Sequence, residues 1–321
     1  MPWSLLELID ERIEAMSEHR SGFVAIVGRP NVGKSTLINA LVGSKIAITS
    51  HHPNTTRSAI RGIVHGAQFQ AVLVDTPGLH KPKTLLGHRL NAIVDQSMDS
   101  VDVVLMCIPA DESSGAGDLF IAAEIAKHPR AKKFAVITKT DLISKERLAI
   151  RLAGIMALAE GFVWDEIIPV SAAVHNQIDL LNELIAKNLP VGPAYYPAGT
   201  TSDQAIEVLI CEFIREAALQ DVREELPHSI MVTIDEFGER EEKGSRPFYD
   251  VHATIHVERD TQRAILLGHQ GVRLKEIGIR ARADIERALV AKIFLGLHIK
   301  VSKEWQRDPK LLERLGFGDN H

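Results

Sequence analysis

Residues 23–36 read Phe-Val-Ala-Ile-Val-Gly28-Arg29-Pro30-Asn31-Val32-Gly33-Lys34-Ser35-Thr36, and this stretch decides the fold. An apolar run of strand length enters a loop bounded by two glycines, and a helical pattern, Lys34–Leu41, leaves it. The loop spells G-x-x-x-x-G-K-S, and its strand–loop–helix setting is the one a phosphate-binding loop requires. Gly28 and Gly33 let the backbone curl, so that amide N–H groups and the helix N-terminus point inward at phosphate oxygens. Lys34 can then reach the β and γ phosphates, and Ser35 can offer a hydroxyl to Mg²⁺, a small hard ion that takes oxygen ligands. A glycine-rich turn without a ligand is the bland alternative, and the flanking strand and helix argue against it.

Outward from this loop, apolar runs alternate with helical patterns. Phe69–Val74, Val101–Ile108, Phe134–Thr138 and Ile167–Val170 read as strands; Leu148–Ala159 and Ile178–Asn188 read as helices. Such alternation predicts an α/β domain with a mostly parallel sheet covered on both faces. Leu-Pro-Val-Gly-Pro-Ala-Tyr-Tyr-Pro-Ala-Gly, from Leu189, is too rich in proline for a helix and reads as a linker. The expected divisions are an N-terminal extension 1–20, a first domain 21–189, a linker 190–202 and a second domain 203–317. In the second domain a long helix, Asp203–Glu225, precedes strands Ser229–Glu236 and Tyr249–Val257, joined by a charged turn, Gly238–Pro247. Two helices broken at Gly268-His269-Gln270-Gly271 and a final strand, Phe294–Val301, complete it.

Two further segments of the first domain end strands where an α/β sheet gathers its ligands. Asp75-Thr76-Pro77-Gly78-Leu79 follows one; Asp75 would hold Mg²⁺ directly or through water, and the Gly78 amide would sense a γ-phosphate. Thr138-Lys139-Thr140-Asp141 follows another. The Asp141 carboxylate can accept two hydrogen bonds from guanine N1–H and the exocyclic amine, a donor pair adenine lacks, so GTP is favoured over ATP. The Lys139 stem can cover the flat base. Ser171-Ala172, after the next strand, could present a backbone amide to guanine O6, although the short segment alone says little.

The chain has 321 residues, 45% of them apolar and 25% charged, ordinary values that exclude disordered and collagen-like classes. Two cysteines, Cys107 and Cys211, cannot staple a disulfide framework and suit a reducing compartment. The first twenty residues carry Asp10, Glu11 and Glu14 where a secretion signal would be basic and then apolar. Leu5, Leu8, Ile9, Ile13 and Met16 instead recur at helical spacing. No HExxH pattern, paired metal spacing or hydrolase triad is present.

In their order, the four segments resemble the nucleotide boxes of translation-factor-class GTPases. Ile48-Thr49-Ser50-His51-His52-Pro53-Asn54-Thr55-Thr56-Arg57, taken with Asp75–His80, resembles the Era family in particular. By that resemblance Pro53–Arg57 is the first switch, and Thr56, or alternatively Thr55, closes on Mg²⁺. Leu79 stands where Ras-like enzymes carry a water-orienting glutamine. The resemblance implies slow hydrolysis with water held by backbone and a monovalent cation, K⁺ being the candidate through Asn31. Asn31 reads equally as a loop-capping residue. Thr138 replaces the family's asparagine, and Val174-His175-Asn176 replaces a glycine-containing turn.

The order of elements in the second domain resembles a type II KH domain, an α+β RNA-binding fold. Its two glycines let a tight turn press amides on a nucleic-acid backbone beside a groove for single-stranded nucleotides. His269-Gln270 stand where a basic residue is common. Although the whole chain carries net charge −5, twelve basic residues face six acidic ones between Arg259 and Lys310, a surplus suited to phosphates. Across residues 22–317 the resemblance implies a GTP-hydrolysing switch binding the single-stranded 3′ region of small-subunit ribosomal RNA during ribosome assembly. It further implies a cytoplasmic monomer associating with the inner face of the cell membrane. Two other readings are a nucleotide-insensitive RNA-binding protein and a double-domain ribosome-assembly GTPase; a single phosphate loop disfavours the latter.

Overall fold

Strand β1 (Arg20–Val27) carries the chain into the phosphate loop and helix α1 (Lys34–Val42) carries it out. A computed structural model describes residues 19–47, 60–75, 101–159, 162–220, 230–240, 246–303 and 305. The expected N-terminal helix, the first switch with Thr55 and Thr56, and Thr76–Leu79 lie outside the described residues, as do most of the turn after Gly238 and residues 306–317.

The first of two compact units holds the described residues 19–44, 60–75 and 101–203. After α1 come β2 (Ile60–His65), β3 (Phe69–Asp75), β4 (Val103–Pro109), α2 (Ala116–Ala126), β5 (Lys132–Thr138), α3 (Lys145–Ile155), β6 (Glu166–Pro169) and α4 (Ile178–Asn188). The sheet runs β2-β3-β1-β4-β5-β6, parallel throughout except for the β2–β3 pair. All seven residues of β4 are buried, which is why its sequence shows no polar alternation: helices cover both faces. Ala25 and Val27 of β1 pack with Ile121 and Ile125 of α2 and Ile155 of α3. Leu37 and Ile38 of α1 and Leu181 and Ile185 of α4 are fully buried as well. The strand order reverses at β1, between β3 and β4, and the loops at its carboxyl end meet in the crevice that open α/β sheets use for ligands.

The sequence pattern predicts neither β2 nor α2. Helix α2 is apolar nearly all round, Leu119 and Phe120 remaining exposed, so it shows no amphipathic period. A polar residue starts it: the Asp118 carboxylate accepts the Gly115 N–H at 2.9 Å. Helix α3 begins at Lys145, ahead of the expected Leu148, because the Ser144 hydroxyl caps it by accepting the Arg147 N–H.

The proline-rich segment 190–202 is fastened to this unit. The fully buried Gln70 side chain accepts the Tyr195 and Tyr196 N–H groups at 2.7 and 3.0 Å and donates to the Tyr196 carbonyl at 2.8 Å. The Ser21 hydroxyl donates to the Pro193 carbonyl at 2.6 Å, and the Phe23 and Tyr195 rings lie 5.0 Å apart.

The second unit comprises α5 (Ile206–Leu219), β7 (Met231–Glu239), β8 (Phe248–Val257), α6 (Asp260–Leu267), α7 (Val272–Leu289) and β9 (Lys292–Val301), the expected order. Its sheet runs β7-β8-β9, antiparallel between the first pair and parallel between the second. Val251, Ala253 and Ile255 of β8 share a core with Ile210, Phe213 and Ile214 of α5, Leu266 of α6 and Ile277, Ala281 and Ile285 of α7. Ile206, expected on the core face of a helix starting at Asp203, is instead the first residue of α5 and is exposed. Cys107 is fully buried in β4. Burial, and then the charge of Glu212, push the Cys211 thiol up to about 12, so both cysteines behave as packing residues.

Candidate nucleotide site and nucleic-acid interface

The phosphate loop is closed by backbone conformations that its sequence permits. Gly28 adopts φ +155°, and a Cβ there would lie 2.8 Å from the Cys107 carbonyl oxygen and 2.9 Å from Val32 Cγ2, so only glycine fits. Asn31 at φ 65° and Gly33 at φ 98° turn the chain through the left-handed region, and Gly33 is the cap residue immediately before α1. No acidic residue occupies the first turn of α1, so its N–H groups and dipole face the loop without a competing carboxylate. Lys34 is buried, and its Nζ donates to the Gly28 and Arg29 carbonyls at 3.0 and 2.9 Å. These bonds hold the ammonium against the loop. Pro30 and Ser35 are half-buried and Thr36 is exposed.

Asp75 is the last residue of β3 and stands in register with Ile26 of β1, at the carboxyl end of the sheet. Thr138, the last residue of β5, is buried beneath the phosphate loop. Its hydroxyl donates to the Val32 carbonyl at 2.5 Å. The threonine hydroxyl thus ties the segment that begins at Thr138 to the phosphate loop. Thr138→Val, which keeps the shape and removes the donor, is expected to cost about 1–2 kcal/mol of stability, measured by urea unfolding, and to speed nucleotide release. Thr138→Ser should retain most of both.

Lys139 enters the left-handed region at φ 57° and its Nζ lies 3.9 Å from Asp111. Thr140 and Asp141 lie in the 3₁₀ turn that follows, with Asp141 exposed. Ser171, in a segment too short to carry a pattern of its own, is fully buried, and its hydroxyl donates to Asp141 Oδ1 at 2.5 Å. The Ser171 and Asn176 backbones exchange hydrogen bonds of 3.1 and 2.8 Å, closing a tight loop through Ala172. His175, at φ 53°, supplies the left-handed residue that a glycine would otherwise provide. The loops after β1, β5 and β6 thus meet at one end of the sheet and are bonded to one another. Arg29 is the exception: its guanidinium is bonded to Asp118 and Glu112 of the α2 region.

In the second unit, Gly268 (φ 67°, ψ −179°), Gln270 (φ 52°) and Gly271 (φ 80°) form the turn between α6 and α7. His269 and Gln270 are exposed. Beside the turn, a groove of about 450 Å³ runs between α7 and the edge strand β9, lined by Gly271, Leu274, Lys275, Ile279, Arg282 and Phe294. Apolar walls with cations at the rim can receive bases on one side and phosphates on the other.

A family model described as 50S ribosome-binding GTPase matches residues 23–139, and a KH domain model matches residues 225–306. GTPase Era of Streptomyces coelicolor is 52% identical over 306 residues, spanning 94% of this chain and 96% of that protein. The chain belongs to the Era family. GTPase Era of a Mycobacterium species (strain JLS) is 54% identical over 304 residues, spanning 94% of this chain and all of the relative. Two solved Era structures, each 34% identical and covering 94% of this chain, superpose with TM-scores of 0.87 and 0.86. The first is Era in complex with MgGDPNP and nucleotides 1506–1542 of 16S ribosomal RNA, and the second is a single-residue variant of Aquifex aeolicus Era bound to GDP·AlF4⁻. The architecture of this Era-family chain is therefore a P-loop GTPase fold followed by a KH domain.

Proposed function

We propose that this protein binds GTP, hydrolyses it to GDP and phosphate, and uses the bound nucleotide to control the hold of its KH domain on the 3′ region of small-subunit ribosomal RNA during subunit assembly. The observation that carries this reading is the likeness, over 94% of the chain, to Era in complex with MgGDPNP and 16S ribosomal RNA nucleotides. In the proposal the G domain spans 21–189, the linker 190–202 and the KH domain 203–317.

Gly28–Thr36 cradle the phosphates, and Lys34 spans the β and γ oxygens. Asp141, oriented by Ser171, accepts from the guanine N1–H and amine while the Lys139 stem covers the base. The donor set of Ser35, Thr56 and Asp75 is all oxygen, which suits Mg²⁺, and these residues would hold it. When bound, the ion offsets negative charge on the β and γ phosphates. Leu79 offers no acceptor for a water proton, so the attacking water depends on backbone groups such as the Gly78 amide and on a monovalent cation, K⁺ beside Asn31 in this reading.

The proposal extends to a cytoplasmic monomer whose contact with the inner membrane face is peripheral. Among the described residues no helix is long and apolar enough to cross a membrane.

Filter binding of a 16S 3′-end RNA in GTP-analogue and GDP states tests the switch. Tighter retention in the analogue state is expected; equal affinity in both overturns the control, and no retention in either overturns the RNA target. GTP turnover by the full chain separates this reading from a nucleotide-insensitive RNA-binding protein.

A further inference from the structure

The segment after β4 and the first turn of α2 carry three carboxylates that face the nucleotide loops: Asp111 and Glu112 before the helix and Asp118 within its first turn. Asp118 is fully buried, and both of its oxygens are engaged. Oδ2 accepts the Gly115 N–H at 2.9 Å, which starts α2, and Oδ1 accepts Arg29 Nε at 2.9 Å. Glu112 accepts from Arg29 Nη2 at 3.1 Å in a far more exposed position. Helix α2 presents Gly117 to the Arg29 stem so closely that a Cβ would lie 2.8 Å from Arg29 Cδ. The side chain of Arg29 is therefore enclosed by α2 and turned away from the centre of the phosphate loop.

Its backbone points the other way. The Arg29 carbonyl is one of the two oxygens that hold Lys34 Nζ. A continuous path thus runs from the buried carboxylate through the guanidinium and main chain of Arg29 to the ammonium of the loop lysine. Burial lowers the Arg29 pKa, but the hydrogen bonds and charges of Asp118 and Glu112 outweigh it, so the guanidinium keeps its proton more firmly than usual.

We infer that Asp118 is a positioning residue for the nucleotide site, acting through Arg29 to fix the phosphate loop and its lysine in the phosphate-accepting conformation. The sequence motif assigns Arg29 a place in the loop and says nothing of Asp118, 89 residues away. A charge-assisted pair between a half-buried guanidinium and a fully buried carboxylate suits this task, because it is screened less than a surface pair, whereas the exposed Glu112 contributes little.

The inference rests on the nucleotide-binding reading above, and one experiment separates the two. GDP affinity and release are measured with a fluorescent GDP analogue on the full chain and on Asp118→Asn, Arg29→Gln, the double variant and Glu112→Gln. Asp118→Asn keeps the shape and an acceptor for Gly115 while removing the charge. Each of the first two single variants is expected to lose about tenfold in affinity, the worth of one charge-assisted hydrogen bond, mainly through faster release. The double variant should lose no more than either single one, because both act through one contact. Glu112→Gln should change affinity less than about twofold.

Full affinity in Asp118→Asn, or a double-variant loss equal to the product of the single losses, overturns the inference, since a merely structural role of Asp118 would add independently to that of Arg29. If Asp118→Asn does not fold, Arg29→Gln decides alone: release of GDP at the wild-type rate overturns it. Absence of GDP binding by the unaltered protein would instead overturn the nucleotide-binding reading.

Discussion

Lys34→Ala is expected to lower GTP affinity by about 100-fold and turnover by a further 10²–10³-fold, roughly the worth of one strong charged hydrogen bond in binding and one donor in the transition state. The structure makes this a site effect rather than a folding effect. The ammonium is bonded to the Gly28 and Arg29 carbonyls, and the loop that carries them is anchored independently. Val32 is buried, its carbonyl accepts the Thr138 hydroxyl, and Gly28 packs against the Cys107 carbonyl. Removing the side chain leaves these anchors in place, so thermal unfolding of the nucleotide-free variant should shift little while titration with a fluorescent nucleotide shows the loss. Unchanged affinity and turnover would remove Lys34, and with it the phosphate-loop assignment.

Most of the architecture was legible because hydrophobic period and strand length carry it. β1, β4, β5 and the helices α1, α4 and α7 announce themselves by continuous apolar runs or by apolar residues at helical spacing. The loop conformation was legible for a different reason: so tight a curl needs glycine at fixed offsets, and the backbone angles of Gly28 and Gly33 match that need. What escaped was determined by single polar contacts between residues distant in the chain. Helix α2 is apolar nearly all round and is started by Asp118; segment 190–202 looks like free linker but is gripped by Gln70; Thr138 looks like a loss yet preserves the tie to Val32. Each of these rests on one buried hydrogen-bonding side chain whose partner no local pattern indicates. The mean charge was similarly uninformative: a chain of −5 contains a basic segment around the Gly268–Gly271 turn, and local density, not the total, decides contact with phosphates.

That turn gives the second large expected effect. Gly268→Ala should weaken binding of a 16S 3′-end RNA by about 10–100-fold, through the loss of one or two backbone contacts to phosphate, while GTP turnover without RNA stays unchanged. Gly268 combines φ 67° with ψ −179°, a region open in practice to glycine alone, where another residue costs about 1–3 kcal/mol. Space forbids the substitution as well: a Cβ would lie 2.8 Å from Arg273 Cβ and 3.1 Å from the Arg273 nitrogen, part of the first turn of α7. Helical backbone cannot yield a few tenths of an ångström without disturbing its own hydrogen bonds, so the strain must be relieved by opening the turn. Gly271 provides the matched comparison. It lies at φ 80°, but a Cβ there would meet nothing within 4 Å, so Gly271→Ala carries only the left-handed penalty of about 1–2 kcal/mol. The expected order of RNA affinity is therefore wild type, then Gly271→Ala, then Gly268→Ala. Equal losses at the two glycines would mean that the turn acts by flexibility rather than by the close approach of Gly268 to α7, and undiminished binding in both would remove the turn from the RNA interface.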